Sequence, residues 1–200
     1  MKQLRVFPEC NVDTNLVGYL LGGHAMHKST CNEVVKAVNN TDSFAVGIID
    51  ADKRLATMDE GFNKFDTGTD VDGETCHLTM FVHEDGKRFL FTVKPAMDKF
   101  ILDAAKEQNV DMRAAGYKPS LNDFKKETKR ITAANDPKLR RLFDLIKDNP
   151  EMQRFRNTLK YLMTQQYNTD QEIAKQFFDG TIGSDELESC LLYTSPSPRD

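Results

Sequence analysis

The run Phe44 to Ile49 (FAVGII) is apolar or glycine at every position and stops abruptly at Asp50-Ala51-Asp52-Lys53-Arg54. It is too short for a buried helix and lacks the alternation of a half-exposed strand. A run of this kind suits a strand covered on both faces. Coverage on both faces requires layers of helices around a sheet, and so constrains the chain to an α/β architecture.

The neighbouring segments supply those layers. Gln3 to Phe7 alternates polar and apolar residues and leads into Pro8-Glu9, a short strand with proline at its exit. Asp13 to Leu21 has helical spacing, with Asn11 or Asp13 as N-cap, and Asn32 to Val38 is a second helix. Gly22 to Thr30 between them is a loop. Gly61 to Glu74, rich in Gly, Asp and Thr, reads as an exposed loop. His77 to Val82 and Arg88 to Val93 form a hairpin around Asp85-Gly86, and Ala96 to Glu107 is a helix. From Ser120 the pattern is helical: Ser120 to Ile131, Asp136 to Asp148, Pro150 to Gln166 and Asp170 to Asp179. Asp136-Pro137 and Asn149-Pro150 are helix starts, a capping residue followed by proline in the first turn. The expected fold is a mostly parallel sheet with flanking helices over residues 1–116, followed by a helical C-terminal part over 117–189. Residues 190–200 (CLLYTSPSPRD) resemble the translation of a transposon-type sequencing adapter and are set aside from the fold expectation.

The formal net charge is −4. A protein that holds nucleic acid by bulk electrostatics carries a basic excess, so contact here needs a local basic face or a cation. No segment approaches the roughly 18 consecutive apolar residues of a membrane span. No leader pattern precedes the first strand. Cys10, Cys31, Cys76 and Cys190 form no C-x-x-C pair, which argues against a zinc site or a disulfide framework and fits reduced thiols in a cytoplasm.

In open α/β sheets functional groups gather at the carboxyl ends of strands. Glu9 follows the first strand, and Asp50 and Asp52 follow the buried one. If these strands are parallel neighbours, the three carboxylates converge. Two carboxylates about 4 Å apart repel by roughly 4 kcal/mol at an effective dielectric near 20. A cation relieves that cost, and hard oxygen donors favour Mg²⁺, with Mn²⁺ as substitute. The competing reading of any single Asp after a strand is a helix cap or turn former.

These residues resemble the Toprim family, which includes primases, topoisomerases and the overcoming-lysogeny-defect nucleases. In that family an apolar strand ends in Glu, often as E-G-x-[ST]-D, and a later one ends in D-x-D. This chain has VFPECNVD and AVGIIDADKR, and FTVKPAMDKFIL is similar to the family's following segment. The resemblance spans roughly residues 3 to 105. It implies a Mg²⁺-dependent nuclease or related phosphoryl-transfer enzyme acting on nucleic acid, with a role in phage defence by analogy. It implies proton transfer at Glu9, metal binding at Asp50 and Asp52, and a second metal position completed by Asp98. Asp13, at the E-x-x-x-D spacing, caps or orients the first helix. Cys10 stands where the family has glycine and Val12 where it has Ser or Thr.

Lys53 and Arg54 follow the D-x-D directly and are candidates for a catalytic cation and a phosphate donor. His27 and Lys28, with His24 on the same glycine-containing loop, are candidate substrate-binding residues. Two other users of D-x-D fit less well. Dehalogenase-type phosphatases need Thr or Val where Arg54 stands, and nucleotide-sugar glycosyltransferases need a longer chain. The C-terminal helices carry Lys125, Lys126, Lys129, Arg130, Lys138, Arg140, Arg141, Arg154, Arg156 and Lys160, with acids interleaved, as either a modest basic face or ordinary solvated surface. The alternative to an enzyme is a non-catalytic interaction domain with the same fold, acting with a protein partner or a second copy.

Overall fold

The computed structural model describes residues 4–51, 58, 60–66 and 76–192, with side chains to residue 189. Five strands form one sheet: β1 (Val6–Pro8), β2 (Ala45–Asp50), β3 (Phe62–Asp66), β4 (Leu78–His83) and β5 (Arg88–Val93). Their order is β1-β2-β5-β4-β3. β1, β2 and β5 run parallel, Val6 opposite Val46 and Asp50 opposite Val93. β4 and β3 are antiparallel, so the sheet is mixed where the sequence suggested a mostly parallel one. The Asp85-Gly86 turn accounts for one antiparallel pairing. The other comes from β3, which lies where the sequence reads as a loop.

Helices α1 (Asn11–Leu21) and α2 (Cys31–Asn39) connect β1 to β2. The buried strand behaves as its composition requires. Val46 and Ile48 join a large core with α1 and α3 (Met97–Glu107), while Ala45 and Ile49 join a smaller core with Val34, Val35 and Val38 of α2. Gly47 lies under α2. A Cβ placed there would come within 2.5 Å of Leu90 Cδ1 and 2.9 Å of Val34 Cγ1, so the helix can approach only over a glycine.

The chain then forms α4 (Leu121–Thr128), α5 (Pro137–Ile146), α6 (Pro150–Gln165), α7 (Gln171–Asp179) and α8 (Ser184–Leu192). Asp136 and Asn149 cap α5 and α6 as expected, accepting from Lys138 N at 2.8 Å and Met152 N at 3.0 Å. α8 runs into the segment set aside, ending within it at Leu192. These helices continue the large core over the sheet. Phe91 of β5 packs against Phe155 and Phe178, with ring centroids 5.4 and 5.9 Å apart. The Asn15 amide of α1 donates to the carbonyls of Ala133 and Asp136 and accepts from Arg140 Nε.

Candidate functional site at the carboxyl ends of β1 and β2

The parallel pairing of β1 and β2 brings Glu9 and Asp50 to one edge. Glu9 N donates to Ile48 O at 3.0 Å, which continues the ladder one step past β1. The Glu9 side chain turns back, and its Oε2 accepts from Asp50 N at 3.2 Å. Glu9 is only 4% exposed. Asp50 Oδ1 accepts from Met97 N, in the first turn of α3, at 3.0 Å. Ala96, the N-cap of that helix, has no side chain able to cap it. Asp50 therefore satisfies an orphan donor from a strand remote in sequence.

Asp13 completes the group. It lies in the first turn of α1, is fully buried, and accepts from Cys10 N at 3.3 Å and from Cys10 Sγ at 2.8 Å. It thus caps α1, with Cys10 rather than Asn11 or Asp13 at the N-cap position. Burial pushes the Asp13 carboxyl well above the ordinary carboxylate range. The charges of Asp50 and Glu9 push the same way, and the bonds from Cys10 oppose them. Burial likewise pushes the Cys10 thiol up, and the neighbouring Asp13 adds to it.

The loop after α1 closes on this edge. Leu4 N donates to His24 O, Met26 N to Val6 O and Lys28 N to Pro8 O at 2.8–2.9 Å, so His24 to Lys28 runs beside β1 like an extra strand. His27 Nδ1 lies 3.1 Å from Thr14 Oγ1, and Lys28 Nζ lies 5.4 Å from the centre of the Phe7 ring. His27, Lys28, Ser29, Glu33 and Lys36 line an open depression beside α2.

Of the residues expected from the sequence, Glu9, Asp50, His27 and Lys28 thus come to one edge. Asp98 follows Met97 in α3, is buried, and its carboxylate accepts from Thr128 Oγ1 of α4. Asp52, Lys53 and Arg54 lie outside the described residues. Among the described residues no three His, Cys, Asp or Glu side chains are arranged to hold a metal ion. Several basic residues of the C-terminal helices have partners within the chain: Lys126 pairs with Asp123 on the exposed face of α4, Lys138 with Glu127, and Arg140 donates to Asn15. Sequence reasoning missed Thr14 and the depth of Asp13. The only signal for either was the spacing that places them in the first turns of α1. No described helix is long and apolar enough to cross a membrane. Comparisons with protein families, with curated proteins and with solved structures give no match to this chain.

Proposed function

We infer that this chain is a Toprim-like, Mg²⁺-dependent nuclease or related phosphoryl-transfer enzyme. The observation carrying this reading is the Glu9–Asp50 pair at adjacent ends of parallel β1 and β2, with Asp13 buried beside it. The donors are all oxygens, which suits Mg²⁺, an ion commonly held by one or two carboxylates with water and substrate phosphate completing its shell. Asp50 with Asp52 would hold it, Asp98 would serve a second position, and Mn²⁺ would substitute. Bound there, the ion would neutralise phosphate oxygens and orient water. Glu9 moves a proton, Lys53 supplies a catalytic cation, and Arg54, His27 and Lys28 hold the nucleic-acid phosphates.

One observation favours a second reading, a non-catalytic interaction domain working with a protein partner or another copy. Asp50 Oδ1 and Glu9 Oε2 both already accept from backbone amides, a structural use of both carboxylates. The test incubates the whole chain with single- and double-stranded DNA and RNA, with Mg²⁺, Mn²⁺ or chelator, beside an Asp50→Ala/Asp52→Ala control. Metal-dependent cleavage lost in the control supports the enzyme. No cleavage of any substrate overturns it in favour of the interaction domain.

A further inference from the structure

The hydroxyl of Thr14 has one hydrogen, and that hydrogen is committed. Thr14 Oγ1 donates to Cys10 O, one turn back in α1, at 2.8 Å. The contact of Thr14 Oγ1 with His27 Nδ1 at 3.1 Å must then run the other way, with the ring nitrogen as donor. The partner of one imidazole nitrogen decides the state of the other. With the Nδ1 proton held by Thr14, His27 exchanges protons only through Nε2. The ring is exposed, and its backbone is moored by the Lys28 N to Pro8 O bond immediately before Glu9.

We propose that His27 is the general acid of this site, working through Nε2, and that Thr14 is its positioning residue. This rests on the phosphoryl-transfer reading and gives Glu9 its complementary partner. Glu9 takes a proton from the attacking water, whose oxygen bonds to phosphorus. The bond from phosphorus to the leaving sugar oxygen breaks, and its electron pair goes to that oxygen. The Nε2 proton of the His27 imidazolium passes to the same oxygen, and the N–H electron pair stays on the ring. Glu9 then releases its proton to solvent, and solvent reprotonates Nε2. The titratable groups of the elements on which the ring rests are Lys28, Glu33 and Lys36 around the depression, and Glu9, Cys10 and Asp13 at the head of α1.

Two measurements on the full chain test this. Two-bond ¹⁵N–¹H spectra of the neutral ring are expected to show the proton on Nδ1 in the wild type, to lose that state in Thr14→Val, and to regain it in Thr14→Ser. A neutral wild-type ring protonated on Nε2 overturns the proposal whatever the activity. In cleavage assays, His27→Asn is expected to slow an ordinary phosphodiester by about 10²-fold, within the usual range for lost acid catalysis. The same variant is expected to abolish the alkaline limb of the pH profile and to slow a bridging phosphorothiolate far less, because sulfur leaves without a proton. Cleavage that Asp50→Ala abolishes but His27→Asn leaves with an unchanged profile sinks the proposal and spares the nuclease reading. A wild type that cleaves nothing removes both.

Discussion

Asp50 Oδ1 receives the backbone N–H of Met97 at 3.0 Å, so the last residue of the buried strand is also the cap of α3. One carboxylate oxygen thereby joins the candidate site to the stability of the helix behind it. The two duties separate by substitution. Asp50→Ala removes the acceptor and is expected to cost about 1 kcal/mol, as lost helix caps do. Asp50→Asn keeps an oxygen for Met97 N and is expected to melt close to the wild type while losing metal-dependent cleavage. Melting curves of the two variants, read beside the cleavage assay, check this.

His77 clasps three elements together. From the residue just before β4, its Nδ1 meets Glu151 Oε2 of α6 and its Nε2 meets Asp103 Oδ2 of α3, both at 2.9 Å. Lys99 also binds Asp103, Leu78 N donates to Glu151 Oε1, and Arg154 approaches Cys76. Burial works against the charged ring, but the bonds to Glu151 and Asp103 outweigh it and raise the His77 pKa. The folded state therefore holds the proton more tightly than the unfolded chain. The resulting stabilisation is present in full below the unfolded value of about 6.5 and disappears as pH rises through the raised folded value. Urea titrations from pH 6 upward are expected to show falling stability in the wild type, with that slope flattened in His77→Gln.

Gly47→Ala is expected to destabilise the chain by about 1–3 kcal/mol, the usual cost of overpacking. The added methyl meets Leu90, Val34 and Val38 within 3.0 Å, on the face where α2 seats. Denaturant unfolding of the variant measures the cost, and an unchanged midpoint would show that α2 can lift without penalty.

Phe91→Ala is expected to cost about 3–5 kcal/mol, as large-to-small changes of buried aromatics do. Its ring is fully buried between the sheet and the C-terminal helices, against Phe155 and Phe178. Because the sheet lacks its cover without those helices, residues 1–116 alone are expected to give no cooperative melt. Calorimetry of the variant and of the fragment tests both statements.

Wherever the cause was local, the sequence was sufficient. The six residues of FAVGII leave no polar face, so the strand had to be enclosed, and the first charge after it had to lie at its end. Asp136 and Asn149 cap amides only two or three residues away, so their motifs were readable without any tertiary partner. The Phe62–Asp66 strand was not readable. It holds Phe62 beside His83 on one side and Phe65 beside Phe178 on the other, which breaks the one-sided alternation that marks a strand. Pairing with β4 decides it.

The same division runs through the site. That carboxylates would follow the two strands was legible. That Asp50 would cap α3, that Asp98 would accept from Thr128, and that His24 to Lys28 would line the edge of β1 was not. Each of these bonds joins groups far apart in the chain. Local spacing holds no information about such partners, and only the packing of helices against the sheet brings their donors and acceptors within reach.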